Sequence, residues 1–369
     1  MILVLNVGSS TLKYALFNTN ADTQVARGTI EYAKAGDCES ALGVLLDDLQ
    51  KQSRLAQITA IGHRLVHGGQ RFREAVVIDA DVRRAMIELI TLAPDHLPLE
   101  LRAIDVISTR LPKIVQIACF DTAFHRTMPT RARLLGVSRR LADAGVVRYG
   151  FHGLSYEYIV STLREADTLP RRAIVAHLGN GASMVALLDG VSIDTSMGMT
   201  PTGGLVMGKR SGDLDPGVIL FMLRALGFST SDVESAVDKE GGLLGLSELS
   251  SDMRSLLAAR SANENAAEAL DVFVYQAKKY VGAYAAALGG LDLLVFTGGV
   301  GEHSSEIRAG ICDALQFLGL EIEASRNLRN LETISTERST VRVAVLPTNE
   351  EIMIARHVSR LLAQPVPMA

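Results

Sequence analysis

Apolar residues along this chain come in short runs. Those at 2–5, 58–61, 114–120, 173–176, 291–296 and 341–346 favour β structure and are separated by stretches of helical period. The alternation predicts an α/β chain. Leu270, Phe273, Val274, Ala277, Val281, Tyr284 and Leu288 return at three- and four-residue steps, which predicts a helix from Glu264 to Leu288 that Gly289-Gly290 ends. Asp215-Pro216 supplies a cap and a first-turn proline for another, over "GVILFMLRAL".

A faint repeat sits on this pattern. "ILVLNVGSSTLKYALFN" (2–18) and "AIVAHLGNGASMVALLDG" (173–190) share one plan: apolar strand, small polar glycine turn, second apolar strand. Either is readable as an ordinary hairpin or as a ring of backbone N–H groups that lets an anion approach without a Cβ in the way. The polar residues that end the apolar runs favour the second reading. Asn6, His63-Arg64, Asp121, Asn180, Gly298-Gly299 and Glu350 each stand at or just beyond such an end. Ligands of open α/β sheets bind at the carboxyl ends of strands, so these exits are expected to share a cleft, with Asn6 facing a ligand.

Composition narrows the function classes. A chain of 369 residues exceeds what one core usually covers, so two domains are expected, divided as 1–149 and 150–369, with the last helix free to pack back on the first domain. A net charge of −4 gives no footprint for nucleic acid. No apolar stretch of membrane-spanning length occurs, and residues 2–5 lack a signal peptide's charged leader; no membrane partner is expected. Cys38, Cys119 and Cys312 are widely spaced and match no metal-ligand pattern. A soluble cytoplasmic protein with small-molecule partners is the expectation.

Two motifs are turned down. "GGLVMGKRSG" (203–212) nearly spells a phosphate loop, but Arg210 stands where a magnesium-binding Ser or Thr belongs. His63 and His67 have the spacing of a zinc-protease helix without its glutamate, and they sit among glycines after a strand.

Between Asn6 and Glu351 the chain carries, in order, "NVGSSTLKY", "GHRLVHGG", "FDTAFHRTMP", "RYGFHGLSY", "HLGNGAS", "DTSMGMTP", "MGKRSGDLDP", "FTGGVGEH" and "PTNEE". This ordered series resembles the acetate kinase family. The resemblance implies two similar α/β domains of the sugar kinase, actin and heat-shock-chaperone ATPase superfold around a central cleft. It implies a homodimer that turns ATP and acetate reversibly into ADP and acetyl phosphate by direct in-line transfer.

The residues make chemical sense of that reaction. A carboxylate is already deprotonated at neutral pH, so the task is to neutralise charge between it and an anionic γ-phosphate. Arg64 and Arg210 are suited to this, because a guanidinium fork grips carboxylate or phosphoryl oxygens at two points. By resemblance Arg64 holds the acyl substrate, with Val66, Asp95, Phe151 and Pro201 around it, and Arg210 the transferring phosphoryl group. His152 is the remaining stabiliser, a donor to that group in flight or a satisfied structural histidine. Asp121 matches the family's essential acid and is assigned to orienting an arginine or a metal-bound water, since the substrate has no proton to give.

Asn6 and Glu350 match the family's magnesium positions, where Mn²⁺ also serves; Glu350 equally suits the start of the helix "EIMIARHVSRLL". Lys13, His177, Leu178, Gly179, Asn180, Gly181, Asp252, Met253, Arg254, Gly299, Val300, Gly301, Glu302 and His303 match its ATP positions. Small residues at 299 and 300 leave room for adenosine, against a pyrophosphate-using variant.

Three departures bear on specificity. Asp95, in "APDHLP", replaces a leucine of the acyl pocket; "TPTGGL" (200–205) replaces "TPLEGL"; His303 replaces an asparagine. Asp95 either lines the pocket, favouring a polar substrate tail, or turns away to pair with a neighbour such as Arg102. Two other functions stay open: a kinase for propionate, butyrate or a hydroxylated acid, and a non-enzymatic ATP-gated binding module.

Overall fold

The computed structural model describes residues 1–8, 10–33 and 37–364; Ser9, in the turn of the first hairpin, lies outside them. Two compact units are interleaved along the chain. The first comprises Met1–Arg126, Gly153–Tyr158 and the segment from Asn349 onward, the second Thr127–His152 and Ile159–Thr348. The chain thus passes between units several times, not once near residue 149.

The first unit is built on a six-stranded sheet of β1 (Ile2–Val7), β2 (Thr11–Phe17), β3 (Gln24–Glu31), β4 (Ala60–Leu65), β5 (Val76–Val77) and β6 (Val115–Phe120), in the order β3-β2-β1-β4-β6-β5. β1 to β3 form an antiparallel meander, β4 runs parallel to β1, and β6 parallel to β4. The second unit holds β7 (Arg172–Leu178), β8 (Ala182–Leu188), β9 (Val191–Thr195), β10 (Leu293–Thr297) and β11 (Arg342–Val345), in the order β11-β10-β7-β8-β9. Again three strands form an antiparallel meander, and β10 and β11 extend the sheet in parallel. The hairpins β1–β2 and β7–β8 occupy equivalent places in two sheets of one plan.

Both faces of the first sheet are covered, which is why its opening strand reads as an unbroken apolar run. Leu3 and Leu5 pack on one side with the helix Cys38–Lys51, while Ile2 and Val4 pack on the other with Met353, Ile354 and Val358 of the helix Glu350–Ala363. Gly62 on β4 lets that last helix approach, since a Cβ there would lie 2.5 Å from Ile354. In the second unit the helix Glu264–Leu288, starting on an Asn263 cap and ending at left-handed Gly289, packs on β7 and β8. The helix Pro216–Arg224 has the expected Asp215 cap, yet none of its residues is buried. No described helix is long and apolar enough to cross a membrane.

Candidate active site

Each unit carries one polar cluster at the carboxyl ends of its strands. In the first, Asn6 and Arg64 continue the rows Ile2-Val4 and Ala60-Gly62, on the face covered by the last helix. That helix begins at Glu350. Where its apolar cover stops, the row turns polar, which answers why an apolar strand ends in Asn6.

Arg64 is the centre of this cluster. Its Nε donates to Asp121 Oδ1 at 3.2 Å and its Nη2 to Oδ2 at 2.5 Å, while Nη1 donates to Asn6 Oδ1 at 3.3 Å. Glu350 lies 3.7 Å from Nε. Burial lowers the guanidinium's proton affinity, but Asp121, Glu350 and Glu100 more than reverse this, so Arg64 stays charged. Burial raises the Asp121 carboxyl to about 6 against the pull of Arg64, with Glu350 adding to the rise. The two-point contact with the Arg64 guanidinium favours the ionised form of Asp121 and fixes the plane of the arginine fork. Lys13, cross-strand from Asn6, is exposed.

Sequence reasoning missed a residue here. Glu100, on the helix Leu97–Arg110, is 2% exposed and accepts the Val66 backbone N–H with both carboxyl oxygens, at 3.1 and 3.3 Å. The signal was an acid at the apolar phase of Leu97, Leu101 and Ile104. Asp95, by contrast, is exposed, and Arg102 pairs with Glu39 at 2.7 Å. Val66 itself is buried. His63 Nε2 donates to Gln116 Oε1 at 2.8 Å, and burial lowers its imidazole to about 4; His67 Nδ1 accepts the Gly69 N–H.

The second cluster surrounds the β7–β8 turn. His152, between buried Phe151 and the helix Gly153–Glu165, holds a left-handed backbone at φ 57°, a conformation that costs a non-glycine residue about 1–3 kcal/mol and is kept only where its surroundings enforce it. Its Nδ1 lies 2.8 Å from Ser183 Oγ, and its ring stacks on His177 at 4.3 Å. A Cβ on Gly181 would sit 3.3 Å from His152 Nε2 and 3.7 Å from Arg210 Nη1, so turn, histidine and arginine converge. Arg210 Nη1 also donates to the Pro201 carbonyl at 3.4 Å.

Beside this turn opens a cavity of about 570 Å³. Gly179, Asn180, Asp252, Met253, Arg254, Gly299, Val300 and His303 line it, with Leu243, Ser251, Leu257 and Ser304. Leu178 and Gly301 are buried. Asp252 also caps the helix Met253–Ala259 through the Ser255 N–H and pairs with Arg254 at 3.1 Å. Glu302 accepts the Gly298 and Thr348 N–H groups at 2.9 and 3.2 Å, fixing the loop from within.

Arg308, fully buried and also missed from sequence, donates to the Gly301 and Glu302 carbonyls and to Asn327 and Asn330. It ties down the end of the Gly298–His303 turn that forms one wall of the cavity.

Comparison with known proteins gives this geometry a family. Residues 1–356 match the sequence model of the acetokinase family. Acetate kinase of Natranaerobius thermophilus is 42% identical, the match covering 98% of this chain and all of that protein. Among solved structures, Porphyromonas gingivalis acetate kinase superposes with a TM-score of 0.89 at 38% identity, over 98% of this chain and 99% of that one. A propionate kinase from Francisella tularensis superposes with a TM-score of 0.91 at 36% identity, over 96% and 98%. A family model matched over residues 1–356, a relative 42% identical over 98% of the chain and a shared fold make this chain a member of the acetokinase family.

Proposed function

We propose that the enzyme transfers the γ-phosphoryl group of ATP to acetate, with Arg64 holding the acceptor carboxylate and Arg210 and His152 stabilising the phosphoryl group in transit. The observation that carries this is the convergence of Arg210 and His152 on the Gly181 turn beside a cavity of about 570 Å³. The first unit then serves mainly as the acyl-binding part and the second as the nucleotide-binding part, with the last helix supplying Glu350 to the first. Family membership leaves no place for a non-enzymatic binding module. A cytoplasmic setting suits the ATP requirement and three free, buried cysteines.

Magnesium fits the first cluster. Asn6 Oδ1 and the Glu350 carboxylate are oxygen donors of the kind Mg²⁺ takes, next to a surplus of carboxylates over guanidinium, and Mg²⁺ needs only one or two protein ligands besides water and phosphate. When bound, it offsets charge on the nucleotide phosphates. Among the described residues no group of three or more His, Cys, Asp or Glu is arranged to hold a metal without such help.

The test is a hydroxamate trap for acyl phosphate with ATP, Mg²⁺ and a panel of short carboxylates. Acetate is expected to give the highest turnover; propionate is the second reading, favoured by the likeness to a propionate kinase. No trapped product from any short acid overturns the assignment.

We also read the protein as a homodimer. The helix Pro216–Arg224 buries none of its residues, and Leu220 and Phe221 are 44% and 58% exposed, with Leu214 and Leu226 beside it in sequence. A second copy of this chain is the occupant that covers such a face in a soluble enzyme. Phe221→Asp is expected to halve the mass measured by analytical ultracentrifugation at micromolar protein; an unchanged mass removes this helix from the interface.

A further inference from the structure

We propose that Glu100 is a positioning residue for the acyl-binding arginine: as a neutral acid it anchors the strand end bearing Arg64 and Val66, and when ionised it competes with the incoming carboxylate. The inference rests on the reading of Arg64 as the acceptor site.

Three carboxyl groups, Asp121, Glu350 and Glu100, surround one guanidinium. Asp121 takes both ends of the Arg64 fork, and Asn6 takes Nη1. The hydrogen bonds to Glu100 come instead from one backbone N–H, that of Val66, two residues beyond Arg64. With all three acids ionised the cluster would carry two surplus negative charges before an anionic substrate arrived. Glu100 is the acid best able to stay neutral, since it is 2% exposed and its hydrogen bonds come from a neutral donor.

The surrounding charges leave this balance to Glu100. From β4 it faces Arg64, and from the exit of β6 it faces Asp121. The helices packed on its own turn their charges elsewhere, Glu39 to Arg102, Asp47 to Arg110 and Arg83 to Asp105. Burial raises the Glu100 carboxyl to about 8, against the pull of Arg64 and the Val66 N–H, with Asp121 adding to the rise. Asp121, near 6, and His63, near 4, titrate below that window, and burial holds the Cys119 thiol above it.

The test is the acetate KM as a function of pH, for the wild type and for Glu100→Gln, whose amide keeps an acceptor for Val66 but cannot ionise. For the wild type, KM is expected to rise about tenfold between about pH 7 and about pH 9 while kcat stays level, because each pH unit beyond the titration point costs a factor of ten in the competent form. For Glu100→Gln the ratio of the two KM values is expected to stay near one. An alkaline rise of wild-type size in Glu100→Gln overturns the proposal. Should that variant not fold, calorimetry of acetate binding to the wild-type enzyme at about pH 8.5, in buffers of different ionisation enthalpy, is expected to show proton uptake; none overturns it. Failure to form acyl phosphate at any pH would instead strike at the function itself, so the two failures are distinguishable.

Discussion

Arg210→Ala is expected to lower kcat by at least about 100-fold, the scale of losing one preorganised charge stabiliser, while the KM for ATP moves by less than about threefold. In phosphoryl transfer negative charge shifts among the equatorial oxygens, and there is no proton chemistry on the acceptor to share the work. Arg210 is placed for that charge. Its Nη1 stands beside the Gly181 turn, braced by the Pro201 carbonyl, with His152 beside the same glycine. It does not line the cavity read as the nucleotide pocket, so removing it leaves those contacts in place. Lysine at 210 is expected to recover little, because an ammonium cannot reproduce a planar fork. A kcat near the wild-type value in the alanine variant would sink the role.

The second large effect is expected at Arg64. Arg64→Ala should lower kcat/KM for acetate by roughly a thousandfold and destabilise the fold by about 3–5 kcal/mol, because it removes the acceptor's counter-charge and strands a buried acid. Asp121 is 1% exposed and has both oxygens on that guanidinium.

The pH dependence follows from the direction of the Asp121 shift. Burial already raises that carboxyl, and without Arg64 it rises further, so the folded variant prefers the protonated form. Its deficit should therefore be smallest at acid pH, where Asp121 holds its proton, and grow as pH rises through about 6. Asp121→Asn in the Arg64→Ala background should restore stability without restoring acetate use. Recovery of both would mean that Arg64 acts only as a structural partner.

What could be read from the sequence was whatever local physics controls. The helix Glu264–Leu288 was legible because one apolar stripe, an Asn263 start and a glycine end all agree. β1 was legible because a strand buried on both faces has no polar interruption until its cover ends. The edge strand β3 was not legible; in "QVARGTIE" the inward positions are only half buried, so no strong alternation marks it. Of the interleaving of the two units, the return of the last helix was foreseen, whereas the exchange of Thr127–His152 and Gly153–Tyr158 between units left no mark, since it depends on contacts between distant segments.

The acyl region shows the same limit within a site. Asp95 drew attention as a change from a familiar motif, yet it faces solvent; Glu100, five residues on, is the acid that reaches the cluster. Asp95 stands in the turn before the helix and Glu100 on the helix's buried face, a phase that is readable. Arg308 is a parallel case, a cation on the buried side of its helix satisfied by carbonyls that only the fold brings near. The position of Asn6, by contrast, followed from strand exits alone.

The last helix has a consequence for how the protein is made. Val4 and Ile2 leave the ribosome long before Ile354 and Val358, the residues they lie against. The first unit therefore waits, one face of its sheet bare, until the helix Glu350–Ala363 has been synthesised, whereas the second unit's strands and helices are complete once Thr348 has emerged. The second unit is thus able to complete itself first, leaving an apolar sheet face that needs shielding while the first unit waits. Glu350 arrives on the same helix, so the Arg64 cluster gains its last carboxylate as the first unit closes, and a chain that stops short of this helix lacks the complete cluster.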